Sequence, residues 1–111
     1  MRVSLGPKPL PVLERSLIAR ASIEPLALGG AVLEVRVFAA DELEIVIAGD
    51  FSEWRPIRME REGTIWVSRT RLPPGKYRVA VQVNGGEWRA PRNLARVRDD
   101  FGGEAGLVVI P

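Results

Sequence analysis

The chain has 111 residues, enough for one domain with its own core and too few for two. It contains no cysteine and no histidine, which excludes disulfides, thiolate chemistry, Ser-His-Asp and Cys-His triads and the usual zinc sites. The formal net charge is only +2 although the pI is about 9.7; with so little titrating near neutrality, a small cationic excess carries the pI upward and does not by itself point to nucleic acid.

Residues 1–30 read as a mostly irregular extension. Gly6-Pro7-Lys8-Pro9-Leu10-Pro11 is stiff and extended. From Val12 to Ala21 the spacing predicts a short helix, because Leu13, Leu17 and Ala21 recur every four residues. Pro25 ends it, and Gly29-Gly30 reads as a hinge. The longest uncharged run, Pro25 to Leu33, is far short of the roughly 20 residues a membrane span needs. Pro7 and Lys8 interrupt any signal-peptide core, so the expected compartment is the cytoplasm, with no membrane partner.

Residues 31–111 change to the period of strands. Leu33, Val35 and Val37 alternate with Glu34 and Arg36; Leu43, Ile45 and Ile47 alternate with Glu44, Val46 and Ala48. Ile65 to Leu72 is rich in β-branched residues. Pro73-Pro74-Gly75 reads as a tight turn into Tyr77, Val79, Val81 and Val83, which alternate with Lys76, Arg78, Ala80 and Gln82. Asn84-Gly85-Gly86 is a hairpin turn, with Glu87 to Arg89 starting the return strand. Leu94 to Arg98 and Leu107 to Ile110 complete about seven short strands, which predicts an all-β antiparallel sandwich. The expected core is Val35, Val37, Ile45, Ile47, Val79, Val81 and Val83.

Charge is uneven along this domain. From Asp41 to Thr64 there are seven acids against three arginines, and from Ile65 to Arg98 eight bases against Glu87 alone. Two readings follow: ion pairing between neighbouring strands, or a basic face turned towards an anionic partner. No carboxylate pattern suggests catalysis or a metal. Asp50 after Gly49 and the Asp99-Asp100 pair read as turn residues bonding their own backbone. Glu42 and Glu44, like Glu60 and Glu62, share strand faces, whereas glycosidase carboxylates face each other across a cleft. Gly102-Gly103-Glu104-Ala105-Gly106 lacks the helix that a phosphate loop needs. The chain is expected to be no enzyme and to need no cofactor.

Three stretches carry a family resemblance. Ile47-Ala48-Gly49-Asp50-Phe51-Ser52-Glu53-Trp54 resembles a strand ending in Gly-Asp/Ser-Phe-Asn-x-Trp. Leu72-Pro73-Pro74-Gly75-Lys76-Tyr77, then Val83-Asn84-Gly85-Gly86-Glu87-Trp88, resembles Leu-Pro-x-Gly followed by a long strand and Val-Asp-Gly-x-Trp. Asp99-Asp100-Phe101-Gly102-Gly103 is similar to the closing loop of bacterial members. Over residues 31–111 these resemble the glycogen-binding domain of the AMP-activated protein kinase β subunit, in carbohydrate-binding module family 48.

The resemblance implies an immunoglobulin-like sandwich of the early-set type and a non-catalytic function in binding α-glucan. Taken alone, Trp54 and Trp88 are open between core and surface. The resemblance puts both on the surface, stacking on glucose rings, and puts Trp66 in the core. A rigid indole buries the apolar face of a pyranose at little entropic cost. A lysine that binds sugar in the kinase subunit is replaced by Ala80. A threonine and an asparagine near the last strand have given way to Gly103 and to Ala105 or Gly106. Arg78 and Gln82 flank Ala80 on one strand face as substitute hydrogen-bond donors, so the carbohydrate-binding set is Trp54, Trp88, Arg78 and Gln82. Those losses also support an alternative: a protein-interaction domain of the same fold with a degenerate sugar site. Its partner would dock through residues 1–30 or the basic face. Nucleic acid is disfavoured, because few aromatics accompany the bases.

Overall fold

The computed structural model describes residues 18–38, 44–98 and 103–111. The expectations for residues 1–17, Leu43 and Asp99 to Gly102 fall outside that range. Among the described residues, nine strands build two antiparallel sheets. The first sheet is ordered β1 (Ile18–Pro25), β2 (Ala31–Phe38), β6 (Ile65–Leu72) and β5 (Glu60–Glu62). The second is β4 (Ile57–Arg58), β3 (Ile45–Gly49), β7 (Gly75–Val83), β9 (Glu104–Ile110) and β8 (Ala95–Arg98). The chain changes sheet between β4 and β5 at Met59, which is buried between the layers. The fold is an immunoglobulin-like β-sandwich.

Period-two alternation decides which face each strand buries. On β2, Ala31, Leu33, Val35 and Val37 are at most 1% exposed while Arg36 and Phe38 face out. Ile45 and Ile47 from β3, Val79 and Val81 from β7, and Val108 and Ile110 from β9 meet them from the other sheet. Val83, expected in this core, is only half-buried, because it is the last residue of β7. Trp66 is partly buried and packs against the cluster.

Two turns follow from residue chemistry. At Asn84 and Gly85 φ is 53° and 74°, the pair of positive values that a type I′ hairpin turn requires. The Asn84 side chain accepts the Glu44 N–H at 2.7 Å, tying the turn to the start of β3. Gly75 has φ 151°, and two residues on the Tyr77 hydroxyl donates to the Pro73 carbonyl at 2.8 Å, closing the turn into β7.

The helix expected from Val12 to Ala21 is not formed at its described end. Ile18 to Ala21 belong to β1, which pairs along its whole length with β2 from Ile18↔Phe38 to Pro25↔Ala31. The sandwich therefore takes in a strand that the sequence reading placed in the extension. Alanine favours helix, but this ladder and the burial of Ala19 and Ala21 override a weak local preference. The return strand expected at Glu87 to Arg89 is also corrected: it shrinks to one bridge, Val81↔Arg89.

The free edge of β1 is closed by the loop before β8. Asn93 donates from Nδ2 to the Ala21 carbonyl at 2.6 Å and accepts the Ala21 N–H through Oδ1 at 2.9 Å. The Arg92 N–H donates to the Ala19 carbonyl at 2.8 Å. One side-chain amide thus stands in for a neighbouring strand and links the two sheets, covering an edge that would otherwise pair with other chains. Asn93→Ala should cost about 1–3 kcal/mol in urea unfolding, because a part-buried N–H and C=O lose their partners together. Asn93→Asp, which keeps only the acceptor, should fall between.

The uneven charge resolves in part into cross-strand pairs. Arg69 on β6 reaches Glu62 at 3.0 Å and Glu34 at 2.8 Å, and Arg36 also bonds Glu34. The Arg69 hydrogen bonds and charge hold the Glu62 carboxyl below the usual carboxylate range. These pairs lie at the surface, where water and salt screen them and each contributes little to stability. Among the described residues no helix is long and apolar enough to cross a membrane.

Candidate functional site

The site begins where β3 ends. Gly49 is extended, with φ −178°, so its glycine is needed for space and not for conformation. A Cβ there would lie 2.4 Å from the Arg78 carbonyl oxygen and 2.6 Å from the Phe51 ring. After it, Asp50–Ser52 make one turn of 3-10 helix. The Ser52 hydroxyl accepts the Gly49 N–H at 3.2 Å and donates to the Arg55 carbonyl at 2.9 Å. The Trp54 N–H donates back to the Gly49 carbonyl at 2.9 Å. Glu53 and Trp54 both hold left-handed backbone, with φ 54° and 61°. Each such residue costs of order 1–3 kcal/mol unless its surroundings hold it, and such strain concentrates at functional positions.

The Asp50 carboxylate organises the loop. Its Oδ1 accepts the Trp54 indole N–H at 3.0 Å. Its Oδ2 accepts the Arg78 backbone N–H at 2.8 Å, and the Arg78 guanidinium bonds both oxygens at 3.1 and 3.3 Å. Burial pushes this carboxyl up, but the Arg78 side-chain and backbone bonds, the Trp54 bond and the Arg78 charge outweigh it and hold Asp50 below the usual carboxylate range. Asp50 was expected to bond its own backbone; the structure corrects this to a bridge from the loop to β7 and to the indole. Finding it requires the register that sets Gly49 opposite Val79, which local sequence does not reveal.

Trp88 arrives on the other side of the same strand. The turn at Asn84-Gly85 sends the chain back along β7, where Arg89 exchanges two backbone hydrogen bonds with Val81 at 2.8 and 2.9 Å. Gln82 Nε2 donates to the Gly86 carbonyl at 2.9 Å, and the Trp88 carbonyl accepts the Glu104 N–H at 3.2 Å. These contacts bring Trp88 beside Trp54, with ring centroids 6.4 Å apart and planes at 89°. The Arg78 guanidinium carbon lies 6.0 Å from the Trp54 ring centroid.

Of the four residues singled out from sequence, the structure brings Trp54, Trp88 and Arg78 together, while Gln82 lies on the same strand face as Arg78 and bonds its own hairpin. Both indoles are half-buried and meet at a right angle, as a corner and not as one flat platform. Arg78 spends donors on Asp50, and Gln82 spends a donor on its own hairpin. Ala80 is not an empty clamp position either. It faces Ala48 across β3 and β7 on the outward side of the sheet, yet both are 0% exposed, and Ala105 on the same side is 2% exposed. This part of the outer face of the sheet is therefore covered at the three alanines. Among the described residues no group of three or more His, Cys, Asp or Glu side chains is placed to hold a metal ion.

The site is thus two indoles set at a right angle beside the central strand of one sheet of an immunoglobulin-like sandwich. The family described as the glycogen recognition site of AMP-activated protein kinase matches residues 38–111, and the chain belongs to that family. Among curated proteins none matches the chain.

Proposed function

We propose that this domain is a non-catalytic module that binds α-glucan weakly, with Trp54 and Trp88 as the stacking surfaces and Arg78 and Gln82 at their border. The observation that carries the reading is the corner formed by the two indoles. Rings of an α-1,4-linked glucan turn relative to one another along the chain, so successive sugars suit two faces set at an angle better than one plane. Family membership points the same way. The chain has no histidine to serve as a general acid or base, in keeping with a module without catalysis of its own.

With Arg78 and Gln82 partly committed to the protein itself, few hydrogen bonds remain to add to stacking. A dissociation constant on the order of 0.1–1 mM for maltoheptaose follows, or roughly −5.5 to −4 kcal/mol. The same commitment favours the second reading, a protein-interaction domain with a degenerate sugar site. Titration with maltoheptaose, followed by tryptophan fluorescence at low and high salt, separates the two. The first reading predicts saturable binding insensitive to salt, since the ligand is neutral. No response at millimolar maltoheptaose leaves the second, whose acidic partner would be released by salt.

A further inference from the structure

We propose that Asp50 is a positioning residue for glucan binding: its ionised carboxylate fixes the Trp54 indole against β7 and makes the affinity for a neutral sugar depend on pH. The inference rests on the reading that Trp54 stacks on sugar. Trp54 sits two residues past the 3-10 turn, on a left-handed backbone, with no regular element to orient its ring. Its indole N–H ends on Asp50 Oδ1. The same carboxylate is anchored three times to Arg78, once through the backbone of the central strand of the sheet. Trp54 therefore inherits its position from β7 through a carboxylate.

Two consequences follow. The indole N–H is already used, so Trp54 offers sugar its ring and not a donor. Protonating Asp50 removes an acceptor from an assembly that uses both oxygens, and a carboxylic acid cannot take four N–H bonds as a carboxylate does. Among the described residues, Arg78 is the charged group that bonds the carboxylate. Lys76 lies two residues further along the same strand face, and Glu53 and Arg55 approach each other at 4.0 Å in open solvent. Because Arg78 and the hydrogen bonds depress the carboxyl, the bridge is intact at neutral pH. It fails as pH falls through a value below the usual carboxylate range of about 4.

The test uses the full chain and two readouts. The Trp54 indole N–H resonance, assigned with Trp54→Phe, should move as pH falls below the usual carboxylate range, while the Trp66 indole resonance, packed on the core, holds its folded position. Over the same range the maltoheptaose dissociation constant should rise. In Asp50→Asn, which keeps one acceptor for the indole and loses the charge, affinity at pH 7 should drop about tenfold, the low end for a charge-assisted hydrogen bond. The variant's residual binding should be flat with pH. An Asp50→Asn protein that binds like wild type with the same pH profile, or a Trp54 resonance unmoved by acid in folded protein, overturns the proposal. If wild type binds no maltoheptaose at pH 7, the glucan reading has failed, and the resonance still decides whether Asp50 positions Trp54.

Discussion

Gly49→Ala is expected to be among the most damaging single-methyl changes in this domain. The added carbon would sit 2.4 Å from the Arg78 carbonyl oxygen, a contact with backbone that no rotamer change can relieve. The Phe51 ring, 2.6 Å from the added carbon, would have to move as well. Relief requires β3 and β7 to separate at Gly49↔Val79, where the Asp50 bridge to Arg78 begins. Overpacking a rigid site costs about 1–3 kcal/mol and occasionally more, and the backbone contact puts this change at or above the top of that range. Urea unfolding should show the loss, and maltoheptaose binding should fall with it, because the loop carrying Trp54 moves. Gly63→Ala is the contrast. Gly63 has φ 63° and nothing within 4 Å of an added Cβ, so only the milder strain of a left-handed alanine, about 1–2 kcal/mol, is expected. Equal losses for the two variants would contradict the account of Gly49.

Trp54→Ala and Trp88→Ala should each abolish retention on insoluble amylose. By analogy with stacking of aromatic side chains on bases, one platform is worth about 1–3 kcal/mol, or roughly 5- to 150-fold. From a baseline near millimolar, that removes measurable binding. Both variants should remain folded with a stability loss of about 1–2 kcal/mol, since each indole is half-buried. Trp66→Ala should do the reverse. It should lower stability towards the lower end of the roughly 3–5 kcal/mol known for buried aromatics, because its ring is only partly covered, and leave binding by the folded fraction unchanged. Retention by either corner variant at wild-type level would remove that tryptophan from the site.

Much of the sandwich was legible because its long strands bury one face against a single core. The alternation on β2 and β7 is the direct imprint of that burial, and the turns at Gly75 and Asn84-Gly85 carry residues that tolerate positive φ. Strand β1 was not legible. Ala19 and Ala21 satisfy period two, yet Leu13, Leu17 and Ala21 also satisfy a helical spacing, and only pairing with β2 chooses between them. The site was legible in its residues and not in its geometry. Trp54 and Trp88 lie 34 positions apart, and their right angle depends on how two loops are pinned to β7. Asp50 reads locally as a turn residue for the same reason: its partners come from across the sheet and from four residues ahead. The burial of Ala80 on the outward side of β7 was not legible either, since alternation alone would expose it.

The measurement that bears most directly on glucan recognition at this corner is a two-dimensional ¹H–¹⁵N spectrum of the three indole N–H groups during titration with maltoheptaose. Each signal can be assigned by a single Trp→Phe substitution. Progressive shifts of the Trp54 and Trp88 signals along one binding curve, with Trp66 stationary, are the predicted result. No shift at millimolar sugar, or a shift confined to Trp66, would contradict it.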